Sequence, residues 1–356
     1  MAIKIQSVKV RRVKMERIDP TWKTASHAAS YIDGFILEVV ADRTVGIGGT
    51  AAHPRSVSAD KLEVQLNGPV RDALVGADVL AGNEVRNALR IANIHTRALV
   101  AADLALHDLI GKLAGLPCYA LWGGAVRSEM SVVRMVGLKP PAELEVAALA
   151  LLKEGYRHLK VKIGSGVAED LERIQVLRRA IGDDIWIGVD ANGVYTPAQA
   201  IELSHGLEQY GVAFLEQPTH YADLDGLAQV TEASAVPIMA DQCVSDAASA
   251  LSLCKRQAAH IVSVKATKMG TLDECRRVAE ICHAFGIRVH GGGSVVPSVV
   301  DAALAQLVAS LPEFEKECEA GESQAVTGDI TNGLTIREGR IEIGAAPGLG
   351  ISVATG

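Results

Sequence analysis

His158-Leu-Lys-Val-Lys-Ile163 is the first of five short apolar segments that each carry a charged residue at or near the carboxyl end. These charged residues follow one another at steps of 28, 26, 25 and 24 positions: Lys162, Asp190, Glu216, Asp241 and Lys265. Each step has room for one strand, one helix and two loops. Because parallel strands joined by equal crossovers end on the same side of a sheet, we expect the five side chains to converge on one rim.

The number of repeats indicates a closed barrel. Strand–helix alternation begins at Met130, and its strands are short, apolar and rich in Val and Ile, as expected of strands covered by helices. With 132–136 and 314–319 as the outer strands, the chain has about eight units, the number that closes a barrel. An open doubly wound sheet is the alternative, but no Gly-x-Gly-x-x-Gly follows the first strand, and five aligned strand ends are too many for one crevice.

The regions on either side of this repeat differ from it. Residues 3–15 and 31–40 alternate in the manner of strands, which predicts an antiparallel meander, and 60–115 show helical spacing. We expect an α+β capping domain over 1–125, the barrel over 126–320, and a C-terminal segment over 321–356. The tail returns to strand-like alternation and is expected to rejoin the N-terminal meander.

Composition excludes several classes of function. The net charge of -7 argues against nucleic acid as a partner, and no window is apolar and long enough for a membrane span. The start of the chain shows no signal-peptide pattern, and the six cysteines form no Cys-x-x-Cys pair. We therefore expect reduced thiols, a cytoplasmic location, a small-molecule substrate, and self-association into a homo-oligomer through helix faces.

The charged strand ends suit one kind of chemistry. Asp190, Glu216 and Asp241 offer three oxygen ligands, which suits Mg²⁺, a hard octahedral ion, with Mn²⁺ as an alternative. Lys160 and Lys162 share one face of their strand because side chains alternate with a period of two. A free lysine is a poor base at neutral pH, so we expect burial and a neighbouring cation to lower a lysine pKa into the working range.

Several motifs in this order resemble the enolase superfamily, muconate lactonizing enzyme subgroup. They are Lys160-Val-Lys162, Asp190-Ala-Asn192, Glu216-Gln-Pro218, Asp241 and Lys265-Ala-Thr-Lys268-Met-Gly270. His107-Asp108 with the residues up to Gly124 resembles the family's passage into the barrel, and Pro347-Gly-Leu-Gly350 its C-terminal signature. The resemblance covers nearly the whole chain and implies a modified TIM barrel, (β/α)7β, with an N-terminal capping domain.

The resemblance also implies roles for residues. Lys162 and Lys265 would be the acid/base pair on opposite faces of the substrate, Lys160 would hold the substrate carboxylate, and the three acids would bind the metal. Specificity in such enzymes comes from capping-domain loops, here near 17–27 and 48–55. The candidates for substrate contact are Trp22, His53, Asn192, Lys268, His290, Gly292 and Glu319, with His290 as a histidine on the rim.

The chain also departs from the family's patterns. Gln242 stands where the family often has Glu after the third ligand, which removes a carboxylate partner for a lysine. The strand before His290 ends in Lys265, so the His-Asp dyad of mandelate racemase is absent. Residues 320–323 lack the Asp-x-Asp with which dipeptide epimerases grip an ammonium group, and the sequence shows no arginine-rich mouth for a phosphorylated substrate.

The predicted function is Mg²⁺-dependent abstraction of the proton α to a carboxylate, giving an enolate. Two opposed lysines favour racemisation, epimerisation or cycloisomerisation of a small carboxylic or amino-acid-derived substrate. Dehydration of a hydroxy acid or hydroxyproline-like compound on the same site is the alternative. A barrel that binds without catalysis is the more remote alternative, since fold alone does not settle function.

Overall fold

The computed structural model describes residues 2–354. The capping domain begins with an antiparallel meander in which β1 pairs with β2 and β2 with β3. The strands are β1 (Ser7–Arg17), β2 (Tyr31–Ala41) and β3 (Thr44–Ala51). Helices follow: α1 (Ala59–Gln65), α2 (Arg71–Leu74), α3 (Gly82–Ile91), α4 (Thr96–Ala114) and α5 (Cys118–Leu121). No helix among the residues described is long and apolar enough to cross a membrane.

Helix α4 lies directly on the meander because two strand residues lack side chains. A Cβ placed on Gly48 would be 1.9 Å from the carbonyl oxygen of Ala101, and one on Gly46 would be 2.3 Å from that of Ala105. The backbones of β3 and α4 therefore approach more closely than any larger residue would allow. The helix ends at Gly115, which adopts the left-handed conformation at φ 68°.

The barrel has eight parallel strands and closes because β11 pairs with β4. Its strands are β4 (Glu129–Val136), β5 (His158–Lys162), β6 (Trp186–Asp190), β7 (Phe214–Glu216), β8 (Ile238–Ala240), β9 (Ile261–Val264), β10 (Arg288–Gly291) and β11 (Phe314–Cys318). Seven helices connect them: α6 (Pro141–Lys153), α7 (Val167–Ile181), α8 (Pro197–Glu208), α9 (Leu224–Ala233), α10 (Ala247–Arg256), α12 (Leu272–Ala284) and α13 (Ser298–Ser310). A short extra helix, α11 (Ala266–Met269), follows β9. This is the expected (β/α)7β arrangement.

The C-terminal segment contacts both domains. Strand β12 (Val326–Thr327) pairs with β1, and β13 (Thr331–Asn332) pairs with β16 (Ser352–Val353). The hairpin of β14 (Ile336–Arg337) and β15 (Arg340–Glu342) extends the barrel sheet, with β15 antiparallel to β4. The stretch that reaches the meander is thus 326–327, whereas the strand-like residues 336–342 lie against the barrel.

One buried carboxylate joins three parts of the chain. The Asp108 side chain on α4 accepts hydrogen bonds from the backbone N–H groups of Ile47 and Leu349, each at 2.7 Å, and from Lys112 Nζ at 2.6 Å. Asp108 has no exposed surface, and burial raises the pKa of its carboxyl group. The two motifs recognised around His107-Asp108 and Pro347-Gly350 are therefore in contact, and their role here is structural.

Asp108→Ala is expected to lower the free energy of unfolding by about 2 to 4 kcal/mol, because it leaves two buried backbone donors without their acceptor and removes the carboxylate partner of the half-buried Lys112 ammonium. Urea denaturation measures this change. The matched control is Asp72→Ala on the exposed surface of α2, which should change the free energy by less than about 0.5 kcal/mol. Equal effects of the two substitutions would contradict this role for Asp108.

Candidate active site

The register of the barrel brings the charged strand ends together. Lys162 on β5 pairs with Asp190 on β6, and Asp190 pairs with Glu216 on β7. Asp241 and Lys265 directly follow β8 and β9, so they lie at the same edge. The five residues that the spacing selected therefore share the carboxyl-terminal rim of the barrel.

These residues form a continuous network of ion pairs. Lys162 donates to Asp190, Lys160 Nζ lies 2.9 Å from Glu216 Oε2, and Lys265 Nζ lies 2.9 Å from Asp241 Oδ2. Lys265 Nζ is also 3.7 Å from Glu216 Oε1, which links the two halves of the network. Asp190 and Glu216 are completely buried, so each needs a cation nearby to offset its loss of hydration.

Two observations indicate that Asp190, Glu216 and Asp241 could hold a hard metal ion. Glu216 Oε1 is buried and makes no hydrogen bond, which leaves an acceptor free for a cation. Burial, followed by the charge of Asp190, raises the pKa of Glu216, so the carboxylates crowd one another electrostatically. Within residues 2–354, no group of three acidic, His or Cys side chains is close enough to enclose a metal ion as the side chains stand. The oxygen donors themselves match Mg²⁺.

The acids beside the lysines act against the lowering of the lysine pKa that burial and a neighbouring cation are expected to cause. Burial alone would lower the pKa of Lys265, but Asp241 and Glu216 outweigh it and raise that pKa above its ordinary value. Burial likewise acts to lower the pKa of Lys160, and Glu216 and Glu319 raise it well above the usual range. The expected repulsion between lysines is smaller than the attraction of the acids, because each lysine contacts a carboxylate.

Two residues hold Asp241 in place. Lys268 Nζ donates to Asp241 Oδ1 at 2.8 Å and to the carbonyl oxygen of Ser263 at 3.2 Å. Gln217 Oε1 accepts from the backbone N–H of Asp241 at 3.0 Å. Lys268 was expected to contact the substrate; it lines the cavity, but its hydrogen bonds are made to the third acid. Gln217 belongs to the motif Glu216-Gln-Pro218. Its contact with Asp241 depends on the fold and is not visible in the sequence.

His290 does not lie on the rim. It has no exposed surface and sits inside the barrel with its ring 5.7 Å from that of Phe214. Its Nε2 is 3.4 Å from Glu319 Oε1 and its Nδ1 is 3.6 Å from Glu315 Oε2. The expectation of a rim histidine is therefore wrong, because the strand places residue 290 one layer below the mouth.

Glu319 and Gly292 also lie behind the cavity wall. Glu319 is completely buried, pairs with Lys160 and accepts from the backbone N–H of Gly293 at 2.7 Å. A Cβ on Gly292 would be 2.7 Å from Cε of Lys265 and 2.1 Å from Oγ of Ser263. Neither residue is placed to touch a substrate. Glu319 instead orients Lys160, and Gly292 leaves the space that the Lys265 side chain fills.

A cavity of about 460 Å³ opens above the network between barrel and capping domain. Trp22, His53 and Asn192 all line it, and both expected specificity loops contribute to the wall. The backbone N–H of Asn192 donates to Asp190 Oδ1 at 2.9 Å, with φ at 51° in the left-handed region. All three residues can therefore meet a molecule in the cavity, and substrate contact by them stays a prediction.

The expectation that the mouth has no cluster of arginines is wrong. Arg17, Arg55 and Arg97 all line the cavity, so the mouth does contain arginines. They come from β1, the loop after β3, and α4, and no local motif connects them. Only the packing of the capping domain on the barrel shows that they meet.

Nearly the whole chain matches one known protein family. Residues 5–123 match the family described as Mandelate racemase / muconate lactonizing enzyme, N-terminal domain, and residues 143–355 match Enolase C-terminal domain-like. The chain belongs to the mandelate racemase / muconate lactonizing enzyme family. It is thus a member of the enolase superfamily, muconate lactonizing subgroup, as the motifs indicated.

Relatives agree on the type of reaction. A chloromuconate cycloisomerase from Delftia acidovorans is 31% identical over 339 residues, covering 93% of this chain and 90% of the relative. A hydrophobic dipeptide epimerase from Enterococcus faecalis is 28% identical, covering 98% and 100%. The structure of a substrate-liganded L-Ala-D/L-Glu epimerase from Bacillus subtilis has a TM-score of 0.94 at 26% identity, covering 99% of each chain. The family member described here is an isomerase.

The pH dependence of stability tests the buried histidine. Burial would lower the pKa of His290, but Glu315 and Glu319 outweigh it and raise that pKa to about 9. The stabilisation is present below the unfolded pKa of roughly 6.5 and is lost as pH rises through about 9. Between pH 6 and 9.5, wild type should therefore lose on the order of 2 to 3 kcal/mol more stability than His290→Gln. Parallel curves in urea denaturation would contradict the charged histidine.

Proposed function

We propose that this enzyme binds Mg²⁺ through Asp190, Glu216 and Asp241 and moves the proton α to a substrate carboxylate. The bound ion would stabilise negative charge on the carboxylate oxygens when the α-proton leaves. A related dipeptide epimerase from Enterococcus faecalis has been solved in complex with Mg and the dipeptide L-Leu-L-Tyr. The free, buried Glu216 Oε1 and the repulsion of Glu216 by Asp190 and Asp241 support the same ion here.

The observation that carries the proposal is the placement of the two lysines. In the closed eight-stranded barrel, β5 and β9 are four strands apart, which puts Lys162 and Lys265 on opposite sides of the mouth. A flat reaction centre between them would present one face to each lysine. One neutral amine would take the α-proton, and the opposite ammonium would return a proton to the other face. This inverts the α-carbon and leaves the two lysines with exchanged protonation.

The same pair of lysines supports cycloisomerisation. In that reaction a proton is removed or added at one face only, while the bond rearrangement occurs within the substrate. The chain therefore catalyses racemisation or epimerisation, or else cycloisomerisation, of a small carboxylate. Lys160, held between Glu216 and Glu319, is completely buried and keeps a fixed positive charge beneath the cavity, from which it would attract the substrate carboxylate.

Proton exchange measured by NMR tests the two-base arrangement. In D₂O with Mg²⁺, wild type should exchange the α-proton of a substrate found among muconates, N-acylamino acids and dipeptides. Lys162→Ala should remove exchange for one enantiomer and Lys265→Ala for the other, and each should slow interconversion by about 10² to 10⁴-fold.

The matched control is Lys153→Ala, an exposed lysine at the last residue of α6, at the end of the barrel opposite the mouth. It should leave both rates unchanged. The proposal is overturned if either lysine of the pair can be replaced without effect on either enantiomer. Product identity then separates epimerisation from cycloisomerisation and from loss of water.

Gly292→Ala tests the space that Lys265 occupies. The added methyl group would meet Cε of Lys265 and Oγ of Ser263, so the ammonium must shift from its position beside Asp241. We expect kcat to fall by at least about tenfold with little change in KM, since a small misplacement of an acid/base group is costly. The control is Gly344→Ala, where a Cβ meets no atom within 4 Å. Unchanged kcat in Gly292→Ala would refute this role.

A further inference from the structure

The charges around the cavity are strongly unbalanced. Six cationic side chains line it: Arg17, Arg55, Arg97, Lys162, Lys265 and Lys268. Among the lining residues, the carboxylates are represented by Asp241 alone. The three lysines are matched by the buried acids of the barrel, whereas the arginines belong to the capping domain and have no such partners. The excess positive charge therefore sits on the wall that the capping domain contributes.

Arg17 is the least satisfied of these groups. Its guanidinium lies 3.7 Å over the ring of Trp22, and its Nε is buried without a hydrogen-bond partner. Asp19 and Glu322 are the acids whose charges it feels, and neither lies within 4.0 Å. Asp19 is held by Lys139 at 2.9 Å, and Glu322 accepts from the backbone N–H of Met135 at 3.0 Å. Neither acid is therefore available to neutralise Arg17.

Arg97 adds a second charge of the same kind. It is buried, and Nη1 donates to the carbonyl oxygen of Ala51 at 2.9 Å, but no carboxylate within residues 2–354 forms a salt bridge with it. Burial lowers the pKa values of Arg17 and Arg97 only to about 10, so both stay charged at neutral pH. Their fixed guanidinium geometry suits a carboxylate, which can accept two hydrogen bonds at once.

The histidines of this wall do not add to the charge. The rings of His27 and His53 are 5.2 Å apart, and His27 is 5.8 Å from Trp22. Burial, followed by nearby cations, lowers the pKa of His27 to about 4 and of His53 to about 3. Both histidines are neutral near pH 7, so the positive charge of this wall comes from the arginines alone.

We infer that Arg17, stacked on Trp22 and assisted by Arg97, is a receptor for a second anionic group at the end of the substrate remote from the reacting carbon. The substrate is then a dianion: one carboxylate lies beside the α-carbon at the barrel rim, and a second lies against the capping wall. This rests on the proposed function, because it assigns the first carboxylate to the site of proton transfer.

The same charges disfavour a free ammonium group at that end. No Asp or Glu of the capping domain lines the cavity, so an ammonium there would face arginines with no acid to receive it. Dipeptides with a free amino terminus should therefore bind poorly, even though one related protein is named a hydrophobic dipeptide epimerase and another an L-Ala-D/L-Glu epimerase. N-acylamino acids whose acyl group ends in a carboxylate fit both ends of the cavity.

Matched compounds test the inference in two independent ways. In the first, quenching of tryptophan fluorescence gives the Kd of adipate and of its monomethyl ester with Mg²⁺ present, without any turnover. Wild type should bind the diacid at least tenfold more tightly. Arg17→Met should weaken adipate by about 10- to 150-fold, the range for a charge-assisted hydrogen bond, and should change the ester by less than about threefold.

The second test uses α-proton exchange on N-succinyl, N-acetyl and N-glycyl forms of one amino acid. The N-succinyl form should react fastest, and Arg17→Met should raise its KM while leaving kcat for the N-acetyl form unchanged. Arg17→Lys should recover part of the loss, since it keeps the charge. Arg71→Met, an exposed arginine outside the cavity, is the control for net charge and should behave as wild type.

The outcomes separate this inference from the proposed function. The dianion receptor is overturned if wild type exchanges the N-acetyl and N-succinyl compounds equally fast. It is also overturned if Arg17→Met slows exchange of both compounds equally. In either case the proposed proton transfer stands. Equal Kd values for adipate and its ester in wild type overturn the receptor as well. If no compound exchanges its α-proton but wild type still binds adipate more tightly than the monomethyl ester, the result counts against the proposed function and supports the receptor.

Discussion

Attraction between buried lysines and buried carboxylates is the interaction on which the mouth of the barrel depends. Asp190, Glu216 and Glu319 have no exposed surface, and each contacts a lysine within the barrel. A carboxylate buried without a cation would be strongly destabilising, so acids and lysines must occupy the strand ends together. The arrangement that allows the strands to close is thus also the one that brings the proposed metal ligands and bases together.

This coupling has a chemical consequence. The acids raise the pKa of Lys160 and Lys265, which stabilises the ammonium form and opposes its use as a base. A divalent cation on the same carboxylates competes with the lysines for their negative charge. Metal binding and activation of the bases are therefore expected to be one event, because they draw on the same oxygens.

The two domains contribute different residues to the cavity. The barrel provides the acids and lysines, while the capping domain provides Arg17, Trp22 and His53 on the opposite wall of the cavity. Asp108 keeps these parts in register by binding a strand of the meander and the C-terminal segment at once. Recognition can change through the loops without disturbing the acid/base pair, which suits a family that contains both epimerases and cycloisomerases.

The sequence predicted the barrel well because its signals are local and repeated. The strand–helix alternation expected from Met130 onward appears as eight strands and seven connecting helices, and the five charged strand ends share one rim. The interior layers could not be predicted in this way. Whether His290 faces the mouth or the interior depends on strand tilt, and Arg17, Arg55 and Arg97 meet only through the docking of two domains. The effect of the acids on the lysine pKa values could not be predicted either, because the lysine–carboxylate distances depend on the tertiary fold.

The most direct measurement of the central claim is calorimetric titration of Mg²⁺ in two buffers with different ionisation enthalpies. The shared-carboxylate account predicts one Mg²⁺ per chain, release of protons on binding near pH 8, and loss of binding in Glu216→Gln. Proton release should persist when an exposed acid such as Asp72 is replaced by Ala. Binding that releases no protons, or that is unaffected by Glu216→Gln, would contradict the claim that metal and lysines compete for the same oxygens.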